Sequence, residues 1–131
     1  MRASPPRVFL SEELAVLKIE IRETRGVTIL DINGEMPVGE TTLKLEVKKM
    51  FAEGKRKFLL DMSGVTLISD FGIASVVEVL ALNRKQGGQL KLVRPSKPVC
   101  DILQASKLNQ IFEIYTAEDE AVSSFEGKER T

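Results

Sequence analysis

The hydrophobic pattern over residues 57–93 predicts a strand, a helix and a second strand in succession. Lys57–Met62 is a short apolar run bounded by charge, which is typical of a buried strand, and apolar residues continue it to Ser69. Beyond the next turn, apolar residues recur at the spacing of one helical face, namely at Ile73, Val76, Val77 and Leu80. Gly87 and Gly88 end this helix, and Gln89–Val93 returns as a strand. A unit of this length predicts a right-handed crossover between parallel strands.

The N-terminal part of the chain predicts a hairpin followed by a helix. Apolar and charged residues alternate over Leu14–Glu23, as in a half-buried strand, and a turn at residues 24–26 leads into the β-branched run Val27–Asn33. We expect Gly34, followed by a glutamate, to close this second strand. Glu40–Ala52 then carries apolar residues at helical spacing, and a glycine at position 54 ends it.

The C-terminal part predicts two further helices on either side of a short strand. Pro95 and Pro98 bracket the start of a helix over Val99–Ser106, Ile111–Tyr115 is a strand candidate, and Ala117–Phe125 is a last amphipathic helix. The complete order of elements is therefore ββαβαβαβα. This order predicts the α/β class, with one mixed, partly parallel sheet and helices packed on it.

The composition is that of a single globular domain of 131 residues, of which 43% are hydrophobic and 29% charged. We expect the domain to span residues 14–126, with a loose tail at 1–13 and a frayed tail at 127–131. Nineteen basic residues balance nineteen acidic ones, so no net field favours nucleic acid or an anionic membrane. No secretory leader is evident and no apolar segment is long enough to span a bilayer, so we expect a cytoplasmic protein without direct membrane insertion.

The side-chain inventory gives little support to catalysis or metal binding. The sequence has no histidine, the commonest general base and metal ligand. Cys100 is its one cysteine, so neither an intrachain disulfide nor a cysteine-rich zinc site can form, and we expect a buried, inert thiol. An acidic cluster of Asp31, Asp61 and Asp70 around a metal ion remains an alternative. Our prediction is a protein without enzymatic activity, cofactor or metal.

The turn Ser69-Asp70-Phe71-Gly72 follows the central predicted strand and begins the helix after it. A helix N-terminus offers unpaired N–H groups and the positive end of the helix dipole, so it stabilises an anion. Serine and aspartate are also favoured N-cap residues, so either Ser69 or Asp70 is equally explained as a cap. Gly72 either relieves crowding in the first turn or lets a partner approach the backbone. Phe71 is either a core residue or an interface anchor.

Several short motifs follow one another at characteristic spacing along the chain. They are Gly34-Glu35-Met36, the strand Phe58–Met62, the turn Ile68–Ile73, the pair Gly87-Gly88, and Ser106-Lys107-Leu108 with Ile111-Phe112. In this order they resemble a STAS domain, the fold of bacterial anti-sigma factor antagonists. The resemblance covers most of the chain, from about residue 17 to residue 125.

In the family that this chain resembles, the turn usually reads Asp-Ser-Ser/Thr-Gly, and its first hydroxyl residue is phosphorylated by an anti-sigma factor with serine-kinase activity. The unphosphorylated antagonist binds that factor and frees the sigma factor. The resemblance places the family aspartate at Ser69, the phosphoacceptor at Asp70 and the family glycine at Gly72. A carboxylate thus stands at the acceptor position, and Ser69 is a candidate displaced phosphoacceptor. Pro37 and Lys107 also depart from the family's frequent aspartate and glycine.

The resemblance implies a regulatory domain that binds an anti-sigma factor or a related serine kinase and so takes part in the regulation of transcription. The predicted contact residues in the turn are Ser69, Asp70, Phe71 and Gly72, and those on the sides of the following helix that do not face the sheet are Ala74 and Ser75. An alternative, favoured by the carboxylate of Asp70, is a STAS scaffold that is never phosphorylated. Such a scaffold acts as a subunit of a larger complex, including a transporter.

Overall fold

A computed structural model of the protein describes residues 16–38 and 41–127. Within these ranges, five strands and four α-helices follow one another in the predicted order ββαβαβαβα. The elements are β1 (Leu17–Thr24), β2 (Val27–Met36), α1 (Thr42–Ala52), β3 (Lys57–Ile68), α2 (Asp70–Lys85), β4 (Gln89–Val93), α3 (Lys97–Ala105), β5 (Ile114–Tyr115) and α4 (Glu118–Gly127). A short 3-10 helix, Leu108–Gln110, precedes β5.

The strands form one sheet in the order β1-β2-β3-β4-β5. β1 and β2 are an antiparallel hairpin whose turn residues, Arg25 and Gly26, both have positive φ angles of 50° and 79°. The remaining neighbours, β2–β3, β3–β4 and β4–β5, pair in parallel. Parallel neighbours need a crossover, and α1, α2 and α3 supply the three crossovers. The predicted α/β class with a mixed, partly parallel sheet is therefore confirmed.

Two apolar layers hold helices on opposite faces of the sheet. In the larger layer, residues of α1, α2 and α3 pack on one face. In the smaller layer, α4 packs on the other face through Ala121, Val122 and Phe125, against Val27, Ile29, Leu59 and Val93. Because successive strand residues face opposite sides, neighbours such as Ile29 and Leu30 in β2 belong to different layers. The alternation predicted for β1 is confirmed by Leu17 and Ile19, which are buried.

β2 is longer than the apolar pattern predicts, whereas β3 ends at Ile68, one residue before the predicted limit at Ser69. The expected end of β2 at Gly34 is wrong, because parallel pairing with β3 continues to Met36 and Ile68. Gly34 accommodates this path with a φ of 113°, and a Cβ there would lie about 2.1 Å from the carbonyl oxygen of Val16. β4 pairs with β3 only as far as Asp61. Residues 62–68 of β3 therefore extend beyond the end of β4. The start of α2, which follows them in the chain, lies beyond that end as well.

Two C-terminal boundaries differ from the predictions for identifiable reasons. α3 begins at Lys97 rather than at Val99, because Pro98 fits the first helical turn, where an N–H has no helical partner. The strand predicted from Ile111 is reduced to β5, since only the two residues of β5 pair with β4. Cys100 is partly exposed rather than buried, and its Sγ lies 3.6 Å from the carbonyl oxygen of Pro95.

Some predicted boundaries fall outside the described residues. These are the strand start at Leu14, the helix start at Glu40, the N-terminal tail at 1–13 and residues 128–131 of the C-terminal tail. Gly127, placed in that tail by the prediction, is the last residue of α4. None of the helices in the described part of the chain has the length and apolar character needed to cross a bilayer.

An ion network joins the start of α4 to the sheet. Arg22 of β1 donates to both carboxylate oxygens of Asp31, at 2.6 and 3.0 Å, and to both of Glu118, at 3.0 and 2.7 Å. Arg94 pairs with Asp61 and lies 3.9 Å from Glu118. The hydrogen bonds from Arg22 hold the pKa of Glu118 below its ordinary value. The first turn of α4 is therefore fixed by charge, while its later turns are fixed by apolar contacts.

We expect Glu118→Gln to lower the free energy of unfolding at neutral pH by about 0.5–1 kcal/mol, because it removes a partly exposed charged pair. The folded-state pKa of Glu118 lies below its ordinary value of 4.5. The stabilisation is therefore present above that value and is lost as the pH falls through the folded-state pKa. Urea unfolding of both proteins at neutral pH and at about pH 3 measures whether the difference disappears in acid.

Asp119→Asn is the matched control, because Asp119 is the exposed acid that follows in the same helical turn. Its effect is expected to stay within about 0.5 kcal/mol at neutral pH. A Glu118→Gln difference that is unchanged in acid would contradict the role assigned to the ion pair.

Candidate functional site

The helix α2 begins at a serine cap that is bonded to the end of β2. Ser69 has an extended backbone, with φ −91° and ψ 171°, and its Oγ accepts a hydrogen bond from the N–H of Gly72 at 3.0 Å. The N–H of Ser69 donates to the carbonyl oxygen of Met36 at 3.0 Å, and its hydroxyl lies 3.4 Å from the same oxygen. Ser69 is therefore the N-cap, and Asp70 is the first residue of the helix.

Gly72 lies where the first turn of α2 passes the end of β2. A Cβ at this position would be about 2.5 Å from the carbonyl oxygen of Met36 and 3.1 Å from Cγ1 of Ile68. Met36 and Ile68 are paired across the sheet, so neither is free to move away. Gly72 is itself buried. Of the two interpretations, relief of crowding is the one that the geometry supports, and Gly72 acts by letting the turn approach the sheet.

Asp70 and Phe71 lie on the outside of this turn. Phe71 is 67% exposed, so it is not a core residue, and Asp70 is exposed in the first turn of α2. Leu67, near the end of β3, is 52% exposed, and Val38, just after β2, is 66% exposed. We call Val38, Leu67, Asp70 and Phe71 the turn surface. A group of exposed apolar side chains beside a carboxylate is typical of a protein-binding site.

The start of α2 matches the predicted contact surface only in part. Ala74 is exposed, as expected. The placement of Ser75 on an outer side is wrong, because it is only 8% exposed. α2 packs against α1 as well as against the sheet, so its buried arc is wider than the apolar stripe and also includes Val79 and Asn83. Ser75 therefore belongs to the inner face and presents little surface to a partner.

The three aspartates of the suggested metal cluster do not come together. Asp31 and Asp61 are neighbours in register on β2 and β3, but Arg22 and Arg94 pair with them. Asp70 lies beyond the end of β3, roughly 20 Å or more along the strand from Asp61. Across the described ranges, no group of three or more metal-ligating side chains occurs. The acidic metal-site alternative is therefore wrong.

Sequence reasoning missed two members of the turn surface, Val38 and Leu67. Both are apolar, and an apolar residue at the end of a strand is normally assigned to the core. No local signal separates them from buried neighbours: Met62 and Val65 also lie in the part of β3 beyond β4, and both are buried.

Comparisons with known proteins fit this geometry. The STAS domain family model matches residues 18–121. A candidate anti-sigma factor antagonist from Thermotoga maritima is 27% identical, with a TM-score of 0.69 over 81% of this chain and 92% of its own. The Bacillus cell-fate determinant SpoIIAA, in its phosphorylated form, is 15% identical, with a TM-score of 0.65 over 82% of this chain and 98% of its own.

A transporter also contains a similar fold. The murine anion transporter SLC26A9 is 20% identical, with a TM-score of 0.65 over 81% of this chain but only 18% of its own. At these identities, SpoIIAA and SLC26A9 show a shared fold alone.

We expect Gly72→Ala to lower the free energy of unfolding by about 1–3 kcal/mol, because the added methyl group overlaps backbone atoms that are held in the sheet. Ala74→Ser is the control, since it adds an atom to an exposed position two residues further along α2, and its effect should stay within about 0.5 kcal/mol. Chemical denaturation measures both values. Equal stability of the two variants would show that the turn can move away from Met36.

Proposed function

The chain belongs to the STAS domain family, and from this premise we propose that it is a protein-binding regulatory domain that acts in the cytoplasm. Its partner is an anti-sigma factor or a related serine kinase, which it binds through the turn surface. The domain regulates transcription by binding and carries out no reaction itself. The support for this proposal is the exposed turn at the start of α2, together with the likeness to anti-sigma factor antagonists.

The observation that carries the proposal is the exposure of Phe71 beside the carboxylate of Asp70 on a fixed turn. Burying a phenylalanine side chain contributes about 1.5–3 kcal/mol to the free energy of folding or binding. The free domain lacks most of this contribution, because Phe71 is 67% exposed. Aromatic anchors surrounded by smaller apolar contacts dominate the affinity of many protein interfaces. Val38 and Leu67 supply such contacts on this surface. A partner with an apolar pocket and a nearby cation fits the turn surface.

Asp70 gives this surface a permanent negative charge where the family resemblance implies a phosphorylated hydroxyl. The carboxylate lies in the first turn of α2, where the helix dipole stabilises an anion. A phosphate would carry about −1.5 to −2 charges, whereas a carboxylate carries one, so Asp70 imitates the phosphorylated form only in part. We propose that the partner of this domain recognises the carboxylate itself.

Ser69 is proposed to act as a helix cap rather than as a displaced phosphoacceptor. Its Oγ is part-buried and accepts the hydrogen bond from Gly72. Transfer of a phosphoryl group to this oxygen requires the cap to open, with the loss of about 1 kcal/mol of helix stability. The geometry therefore favours a surface whose charge does not cycle.

A second function is a STAS scaffold within a larger complex, such as a transporter. The fixed charge of Asp70 favours it, because a scaffold does not need a phosphorylation cycle. The likeness to SLC26A9 shows that this fold also occurs as a part of an anion transporter. The neighbouring gene distinguishes the two functions: a serine kinase of the anti-sigma type supports the first, and a transporter subunit supports the second.

We expect Phe71→Ala and Asp70→Lys each to weaken binding to the purified anti-sigma factor kinase of the source organism by about 10-fold or more, because each removes a central contact. Calorimetric titration with the full chain measures the affinities, and circular dichroism checks that both variants are folded.

Leu45→Ala is the matched control, since Leu45 is a 62% exposed apolar residue on α1, outside the turn surface. Its affinity should equal that of the unsubstituted chain. If Phe71→Ala and Asp70→Lys bind as tightly as Leu45→Ala, the partner does not bind at the turn surface.

Incubation of the unsubstituted chain with the same kinase and ATP is expected to leave Ser69 and Asp70 unmodified, because one is a cap and the other lacks a hydroxyl. Asp70→Ser restores a hydroxyl at the acceptor position and is expected to become phosphorylated there. Peptide mass spectrometry locates the modification. Phosphate on Ser69 of the unsubstituted chain would contradict the proposal and show that the phosphorylation cycle survives at a shifted position.

A further inference from the structure

β1 forms one edge of the sheet, and β2 is its only strand partner within residues 16–38 and 41–127. The pairing with β2 includes all eight residues of β1. The outer side of an edge strand carries backbone N–H and C=O groups that can pair with a further strand. The strand at the opposite edge, β5, has only two residues. Strand addition is therefore favoured at β1.

The hydrogen bonds to β2 determine which residues of β1 face the outer edge. The N–H of Glu35 donates to the carbonyl oxygen of Val16 at 2.6 Å, and these residues lie one step before the pair Leu17–Gly34 in the register of the hairpin. Opposite residues of an antiparallel pair alternate between hydrogen-bonded and non-hydrogen-bonded pairs. The even-numbered residues of β1 therefore bond to β2. The odd-numbered residues direct their N–H and C=O groups to the outer edge: Leu17, Ile19, Ile21 and Glu23.

The side chains of β1 divide into an aliphatic face and a charged face. Leu17 and Ile19 are buried in the larger apolar layer, and Ile21 packs against the same layer. On the other face, the side chains of Lys18 and Glu20 are 48% and 36% exposed, and their charged atoms are 4.0 Å apart. An exposed pair at this distance is weak, so both side chains can form a further ion pair with another chain.

Two copies of β1 can pair antiparallel about a two-fold axis through Ile19. Each Ile19 then lies opposite the same residue of the second copy, and Leu17 lies opposite Ile21. These residues are the ones whose backbone groups point outward. On the charged face, Lys18 of each copy lies opposite Glu20 of the other, in the non-hydrogen-bonded pairs where side chains are closest. Opposite charges in such pairs are stabilising and like charges are destabilising.

The neighbouring two-fold registers are less favourable. An axis through Glu20 places two glutamates opposite each other, and an axis through Lys18 does the same with two lysines. An axis through Ile21 pairs Glu20 with Arg22, but Arg22 already donates to two carboxylates of its own chain. The register centred on Ile19 is therefore the one that matches the charges without breaking the ion network at α4.

We propose that two copies of this chain associate through their β1 edges, in the register centred on Ile19. The two five-stranded sheets then join into one continuous sheet with the same face of each copy towards the same side. The interface is isologous, so each backbone and charge contact outside the axis occurs twice. This association uses the edge of the sheet and does not depend on the turn surface or on its proposed partner.

Charge-reversed variants of the full chain test the association and its register. Analytical ultracentrifugation of the unsubstituted chain is expected to show a monomer–dimer equilibrium that depends on protein concentration. Lys18→Glu places glutamates opposite each other in both charge pairs, and Glu20→Lys places lysines there, so each is expected to weaken dimerisation about 10-fold or more. An equimolar mixture of the two variants restores both opposite-charge pairs. Heterodimers are therefore expected to form with about the affinity of the unsubstituted chain.

Lys97→Glu is the matched control, because Lys97 is an exposed lysine that pairs with an acid of its own element, at 3.0 Å, on α3 rather than β1. Its dimerisation should equal that of the unsubstituted chain. Both substituted side chains of β1 are exposed, so the variants are expected to fold, and circular dichroism checks this.

Three results would each overturn the proposal. A chain that stays monomeric into the millimolar range would show that the edge of β1 is covered within the chain or left open. Equal dimerisation of Lys18→Glu, Glu20→Lys and Lys97→Glu would show that the copies associate elsewhere. A mixture of the two β1 variants that associates no more tightly than either variant alone would exclude the register centred on Ile19.

Discussion

The carbonyl oxygen of Met36 is the point on which the candidate site depends. It accepts the hydrogen bond from the N–H of Ser69 at 3.0 Å, and Gly72 passes so close to it that no side chain would fit between them. Met36 holds this position because β2 and β3 remain paired in parallel as far as Ile68. The pairing thus fixes the last turn before α2 and leaves Phe71 on the outside.

The sequence predicts the architecture well where one local signal is enough. Gln89–Val93 is an apolar run between two glycines and a proline, and it forms β4 with the predicted bounds. The turn at Ser69 combines a favoured cap residue with the start of a helical apolar stripe, and α2 begins there. The order of strands and helices follows from such signals in succession, and it restricts the sheet to mostly parallel pairing.

The predictions fail where the environment comes from another element. Ser75 is polar and outside the apolar stripe, yet it is buried because α2 packs against other helices as well as the sheet, which no periodicity within α2 can reveal. Leu67 is the opposite case. It continues an apolar run, which predicts a buried residue, but it lies beyond the end of β4 and is 52% exposed. Asp31 and Asp61 are adjacent in register, and the arginines that neutralise them come from β1 and from the segment after β4.

α2 is fixed at both ends, which constrains how the turn surface can act. At its start, Ser69 and Gly72 are held against Met36. At its end, the N–H of Gly88 donates to the carbonyl oxygen of Asn83 at 2.7 Å, and that of Gln89 to Arg56 at 2.8 Å. A helix held in this way presents side chains on a preformed backbone, so binding at the turn surface does not have to order the chain first. The turn surface therefore lies on a backbone whose position is set by hydrogen bonds at both ends of α2.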